Sequence, residues 1–280
     1  MQRHLQLGLI GDNIAASRAP LLHRLAGEQH GIVVTYDRLV PREIGKSFEA
    51  LFDHVAQAGY RGINVTYPYK EKAATKVRIS DPLVRAMGAI NTVLFGADQP
   101  EGFNTDYSGF LSAYRAARGD QPPGAVLLIG AGGVGRSLAF ALAGLGAREL
   151  RIADLDEGRA AALALALRGS TPALSLTIGR DAAALAQGIE GVVNATPVGM
   201  VGHNGTPLPA AAMPVRGWAF DAVYTPVNTD FITAAAAAGL NAISGYELFI
   251  GQGVDAWHLF SGLPLDEARL REDLAATVPA

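Results

Sequence analysis

The 280-residue chain predicts an α/β protein of two domains. Three observations carry that expectation. Apolar runs of strand length alternate with helical patterns almost throughout, which argues for βαβ units and mostly parallel sheets. The length exceeds the roughly 100 to 200 residues of a usual single core. The stretch "DQPPG", Asp120 to Gly124, is the clearest linker signal, and a second series of alternating elements starts directly after it.

Taken in order, the first third predicts strands at "LQLGLIG" (5 to 11), "IVVTYDRLV" (32 to 40), "GINVTYP" (62 to 68) and "NTVLFG" (91 to 96). Helices fall between them. In "SFEALFDHVAQAG" the side chains of Phe48, Leu51, Phe52 and Val55 share one face at helical spacing. A helical "YSGFLSAYRAARG" leads to the linker. Beyond it come "AVLLIG", a glycine turn, "RSLAFALAGLG", "ELRIADLD", "ALSLTIG", "GVVNATP", "WAFDAVYTP", "TDFITAAAAAG" and "NAIS". The alanine tracts at 161 to 167 and 234 to 238 read as covering helices, since alanine is the best helix former and packs closely on a sheet. The closing segment, from "GYELFIGQG" onward, reads as two helices broken at "SGLP". The predicted domains are residues 1–106, completed by the helices of 246–280, and residues 107–245.

Composition narrows the function. Apolar residues make up 49% of the chain and charged ones 18%, the balance of a well-packed globular protein. A net charge of −3 gives no electrostatic reason to expect a nucleic acid or an anionic membrane as partner, so a small molecule is expected. The absence of cysteine excludes disulfides and thiolate catalysis, and no Cys-ligated metal site is possible. A reducing cytoplasm is the simplest home. No apolar stretch reaches bilayer length, and the N-terminal apolar run is cut short by Asp12.

The stretch "VLLIGAGGVGRSLA" holds Gly130, Gly132 and Gly135 in G-x-G-x-x-G spacing, after an apolar strand and at the head of a helix. In that setting the first glycine makes a tight turn and the second lets a pyrophosphate approach the backbone. The third lets helix pack on strand. The residues Gly130, Ala131, Gly132, Gly133, Val134 and Gly135 are therefore candidate cofactor ligands in a Rossmann-type unit. The next strand ends in Asp154, about twenty residues on, where a carboxylate bonds a ribose 2′-hydroxyl. It would repel a 2′-phosphate: unit charges ~4 Å apart at an effective dielectric of 20 interact by about 4 kcal/mol as a gross term. NAD is expected, with NADP the lesser option. Arg159 downstream reads as a solvated helix residue.

Hydride transfer needs a group to take the hydroxyl proton. The six histidines are scattered over helix and loop positions and read as structural or exposed. Lys70 follows a strand end, where open parallel sheets place their sites. Asp106 stands before a helix, where Asp serves equally as an N-cap. Asn91 opens a strand and reads equally as a turn amide.

The ordered set "GINVTYPYK", "GAINTV", "GFNTDYSGF", "IGAGGVGRS", "VVNATPVGM", "DAVYTPVNT" and "ELFIGQGVDAW" resembles the shikimate dehydrogenase family from about Leu7 to about Leu263. The resemblance implies a substrate domain whose terminal helices return to it, a Rossmann NAD(P) domain, and an active site in the cleft between them. It implies Lys70 and Asp106 as the catalytic pair. Ser17, Thr66, Asn91, Tyr224 and Gln252 would hold the substrate, a cyclic polyol acid. Thr196, Pro197, Met200, Val223 and Gly245 would line the cofactor. A lysine that accepts a proton at neutral pH needs desolvation or a relay, because a free lysine titrates near ~10.4.

The sequence also departs from the family pattern. In "AASRAPLLH" Ser17 keeps one carboxylate-binding hydroxyl, but Ala19 replaces the second. Losing one hydrogen bond to a charged group costs about 1.5 to 3 kcal/mol unless Arg18, Tyr224 or water substitutes. The "SRxP" form and Asp154, in place of an arginine typical of NADP-using members, resemble the quinate/shikimate branch. The resemblance implies NAD-dependent oxidation of a ring hydroxyl of shikimate or quinate by a monomer or homodimer. The same chemistry on an aminoshikimate-like polyol, a folate-linked dehydrogenase and a non-catalytic NAD sensor are the alternatives.

Overall fold

A computed structural model describes residues 3–96 and 98–277. In chain order the first elements are β1 (His4–Ile10), α1 (Ala19–Glu28), β2 (Val33–Leu39), α2 (Pro41–Ile44), α3 (Phe48–Gln57), β3 (Gly62–Val65), α4 (Lys70–Ala74), α5 (Pro82–Met87), β4 (Thr92–Leu94) and β5 (Glu101–Phe103). After them come α6 (Thr105–Arg118), β6 (Ala125–Ile129), α7 (Gly133–Gly144), β7 (Glu149–Ala153), α8 (Glu157–Ser170), β8 (Ser175–Gly179), α9 (Ala182–Leu185) and β9 (Gly191–Asn194). A 3₁₀ turn (Ala210–Ala212) precedes β10 (Trp218–Asp221), α10 (Asp230–Ala237), β11 (Asn241–Ile243), α11 (Gly245–Ser261) and α12 (Glu267–Ala276).

The chain divides into two compact units, Met1–Thr105 with Gln252–Ala280, and Asp106–Gly251. The return to the first unit thus falls at Gln252, inside α11, later than the residue 246 read from sequence, and Asp106 is the first residue of the second unit.

The first unit is built on a sheet of order β2-β1-β3-β4-β5. Strands β2, β1 and β3 are parallel, while β4 and β5 are antiparallel additions. One face carries α3, whose Ser47 cap accepts the Ala50 amide at 3.1 Å and whose Phe48, Leu51, Phe52 and Val55 bury against Ile10, Ile63 and Val65. Leu5, Leu7, Ala26, Trp257 and Phe260 form a separate core cluster, so the chain's last helices complete the unit that its first strand begins. The helix α12 lies against α1.

The second unit holds a six-stranded sheet of order β11-β10-β9-β6-β7-β8, parallel at every pairing. The central strand β6 is buried along its whole length, as a strand covered on both faces must be. Among the described residues no helix is long and apolar enough to cross a membrane, and no group of His, Cys, Asp or Glu is placed to hold a metal ion.

Candidate active site

The glycine turn of the second unit separates two uses of glycine. Gly130 has φ +100°, and a Cβ there would stand 2.9 Å from the carbonyl of Ala195. A Cβ on Gly135 would come within 2.0 Å of the Gly130 oxygen. Both are glycine because backbone presses on them. Gly132 has an ordinary φ of −75° and opens on space: its Cβ would meet only Arg159 Nη1, at 3.8 Å. Packing does not require a glycine there, whereas a ligand drawn close to the backbone does. Gly133 and Val134 head α7, whose first-turn amides suit a pyrophosphate, and Ala131 is buried in the turn.

Asp154 is set onto this turn. Its Oδ2 accepts the amide of Ala131 at 2.7 Å and its Oδ1 that of Asp156 at 2.8 Å. A carboxylate has lone pairs to spare for a ribose hydroxyl. The residues present fit a dinucleotide with an unmodified adenosine ribose. Arg159, read from sequence as solvated, is exposed but brings its guanidinium beside Gly132, held near Asp156 at 3.7 Å.

The loop after β9 is folded around Asn194. Its Oδ1 accepts both the amide and the hydroxyl of Thr196, at 2.9 and 2.7 Å, and its Nδ2 donates to Val198 O and to Asp221. Pro197 and Met200 are joined in the same loop, the Met200 amide donating to the Pro197 carbonyl at 3.0 Å. Asp221 is fully buried and its pKa is pushed up to about 6 by burial, against the pull of Thr229, Val223 and Asn194. Tyr224 stacks on Phe249 at 4.8 Å. Gly245, expected to touch the cofactor, has a packing reason of its own: a Cβ would lie 2.6 Å from the carbonyls of Asp221 and Val223. The Asn194–Asp221–Thr229 set escapes sequence reasoning. Its only signal is an acid at a strand end.

In the first unit, Lys70 does not trail loosely beyond β3. It is the first residue of the five-residue helix α4, is only 6% exposed, and its carbonyl accepts the Ile90 amide at 3.1 Å. The preceding turn is held by Tyr69, whose hydroxyl donates to Asp12 at 2.7 Å and whose ring stacks on Phe48 at 4.8 Å. Thr66 stands over Gly11, where a Cβ would collide with its methyl at 2.3 Å. Asp106 is not an N-cap: α6 begins at Thr105, so Asp106 lies within the first turn, 1% exposed, where a negative charge suits the helix dipole.

Asn91 is the hub of the unit's polar cluster, and its turn-amide reading fails. Its Oδ1 accepts the Thr105 amide at 2.8 Å and the Thr92 hydroxyl at 3.1 Å. Its Nδ2 donates to Thr105 Oγ1 at 3.0 Å and to Gln252 Oε1 at 3.2 Å. Two predicted substrate residues 161 positions apart are thus brought together. Thr92, Thr105 and Asn64, which donates to Thr92 at 3.0 Å, are members that sequence reasoning misses.

Ser17 and Ala19 form a local turn, the Ala19 amide donating to Ser17 Oγ at 3.3 Å. Arg18 does not stand in for the missing hydroxyl at 19, for its Nη2 donates to the Leu274 carbonyl in the last turn of α12 at 2.5 Å. Buried His23, stacked on Tyr36 at 5.1 Å, has its pKa lowered to about 4 by burial and is neutral at physiological pH.

A ligand-ready glycine turn with an acid seated on it, in a chain whose other unit carries a buried lysine and a cluster of buried amides and hydroxyls, defines a two-unit α/β dehydrogenase of the dinucleotide-dependent kind. Comparison with known proteins makes the class particular. Residues 9–93 match the shikimate dehydrogenase substrate binding domain. A quinate/shikimate dehydrogenase (NAD(+)) of Corynebacterium efficiens is 37% identical over 95% of both chains. A shikimate dehydrogenase (NADP(+)) of an Arthrobacter species is 34% identical over 98% of this chain and 95% of its own. Among solved structures, the quinate dehydrogenase of Corynebacterium glutamicum in complex with NAD superposes with a TM-score of 0.87 at 34% identity, over 98% of this chain and 99% of its own. The chain belongs to the shikimate dehydrogenase family. The sensor, folate-linked and aminoshikimate-like alternatives are not favoured by these relatives.

Proposed function

We propose that this chain is an NAD-dependent dehydrogenase that interconverts a ring hydroxyl and a ring ketone on shikimate, quinate or both. The observation that carries the reading is Lys70, a lysine 6% exposed at the head of α4, in the same unit as the Asn91–Gln252 amide pair. A surface lysine would not be buried at such cost.

NAD, when bound, would supply the hydride acceptor. Lys70 takes the hydroxyl proton, directly or by way of Asp106. Asn91, Gln252 and Thr66 hold ring hydroxyls as neutral donors and acceptors, and Ser17 donates to the substrate carboxylate. Tyr224 borders the substrate. Gly130 through Gly135 would hold the pyrophosphate, Asp154 the ribose 2′-hydroxyl, and Thr196, Pro197, Met200, Val223 and Gly245 would line the nicotinamide half. A monomer or homodimer belongs to the same reading, and a reducing cytoplasm suits a protein without cysteine.

The test crosses NAD and NADP with shikimate and quinate, for the wild type and Lys70→Met, which roughly keeps the buried volume. Turnover with NAD on at least one polyol is expected, and the variant should lose about 10²- to 10⁴-fold in kcat, the usual worth of a general base. Wild-type turnover in Lys70→Met would sink the catalytic assignment, and turnover with NADP alone would sink that of Asp154.

A further inference from the structure

The strand order of the second unit lays out how an extended dinucleotide would lie. β7 runs into Asp154, its neighbour β6 runs into the glycine turn, β9 ends at Asn194 and β10 at Asp221. These strands are parallel, so their ends open on one edge, where ligands of such sheets bind. Beyond the ribose at Asp154 and the pyrophosphate at Gly132, the next ends along the edge are those of β9 and β10. The loop after β9 starts against the turn itself, since a Cβ on Gly130 would touch Ala195 and Thr196 at 2.9 Å.

One buried side chain ties these last two ends together. Asp221 Oδ1 accepts Asn194 Nδ2 at 2.9 Å and the Val223 amide at 3.0 Å, and its Oδ2 accepts the Thr229 hydroxyl at 2.5 Å. Asn194 in turn holds Thr196 and Val198, while Thr229 caps α10 by accepting the Ile232 amide at 3.1 Å. A buried carboxylate carries a desolvation cost that an apolar residue of like volume would not, so its retention points to arrangement and not to stability.

We propose that Asp221 is a positioning residue for the nicotinamide half of the cofactor, its carboxylate locking the 194–200 loop and the 221–229 segment into one arrangement. The proposal rests on the NAD reading above.

The test compares NAD with ADP-ribose, which has the adenosine and pyrophosphate but no nicotinamide, by calorimetric titration beside steady-state kinetics. In Asp221→Ala the Kd for NAD should rise about tenfold, the worth of one hydrogen bond, while that for ADP-ribose stays within about twofold. The kcat should fall by more than the KM for the polyol rises. Asp221→Asn keeps an oxygen for Asn194 and Val223 and should bring NAD affinity back to within about threefold of wild type. Thr229→Val, which cuts the link from its other end and leaves the Asn194 contact, should show the same selective loss at smaller size and serves if Asp221→Ala does not fold. Equal loss of both ligands in these variants, or unchanged NAD binding and turnover, overturns the proposal. A wild type that binds neither ligand overturns the cofactor reading and this proposal with it, a result distinguishable from failure of the variants alone.

Discussion

The carboxylate of Asp154 accepts the amide of Ala131 at 2.7 Å, so an acid from the end of β7 rests on the backbone of the glycine turn. A 2′-phosphate arriving there would meet fixed negative charge. Asp154→Asn removes the charge and keeps the shape. Its kcat/KM with NAD should fall about 10- to 100-fold, as expected for a lost hydrogen bond to a charged group, while that with NADP rises. The ratio of the two constants is the measurement, and a ratio equal to wild type would count against the assignment.

The two kinds of glycine separate by experiment. Gly132→Ala puts a methyl into open space at an allowed φ, so the urea midpoint should hold to within about 0.5 kcal/mol of stability while NAD affinity drops at least tenfold. Gly135→Ala drives a Cβ to 2.0 Å from the Gly130 carbonyl and should cost about 1 to 3 kcal/mol of stability. NAD binding at wild-type strength in Gly132→Ala would show that no pyrophosphate passes over that residue.

Removing the Asn91 amide strands the buried Thr105 amide and should cost about 1 to 3 kcal/mol of stability as well as raising KM for the polyol. Gln252→Ala, at a half-buried site, should act mainly on KM. Because the two amides touch at 3.2 Å, the double variant should depart from additivity in kcat/KM by about 0.5 kcal/mol or more. Strict additivity would mean that the pair does not work as a unit.

Two buried groups oppose each other in acid. Asp221 is lifted to about 6 from 3.8, so the folded state holds its proton where the unfolded state has lost it; that stability is full below about 4 and is lost as pH rises through 6. His23 is lowered to about 4 from 6.5, so its contribution is full above 6.5 and is lost as pH falls through 4. Each shift is worth on the order of 3 kcal/mol. The wild type should therefore change little in stability between pH 4.5 and 7. Asp221→Asn should lose stability steadily on acidification, and His23→Phe should gain it. Urea midpoints at the two pH values read this out, and identical slopes in all three proteins would refute it.

Much of the molecule is legible in its amino-acid order. The alternating apolar runs specify both sheets, and the spacing of Gly130, Gly132 and Gly135 specifies the turn, because each depends on neighbours within a few residues. The antiparallel strand β5 does not show, since "EGF" is too short to carry a period. Nor does the helical start at Lys70, where α4 runs only five residues. The Asn91–Gln252 contact and the Asn194–Asp221 hub join residues far apart in the chain, and no local pattern of polarity marks an amide as buried. Arg18 shows the limit from the other side. It sits in the stretch expected from sequence to bind the substrate carboxylate, yet its guanidinium is drawn to α12 by a carbonyl more than 250 residues away.

The first unit is assembled from both ends of the chain, with Leu5 and Leu7 packed in the same core as Trp257 and Phe260. During synthesis the second unit is complete once Gly251 has left the ribosome. The first must wait, its strands made earliest but one face of its sheet covered only in part, by α1, until the last helices arrive. The protein is thus born with its nucleotide half finished first, and a nascent chain stalled short of residue 257 would hold an opened half-core that a chaperone has reason to shield.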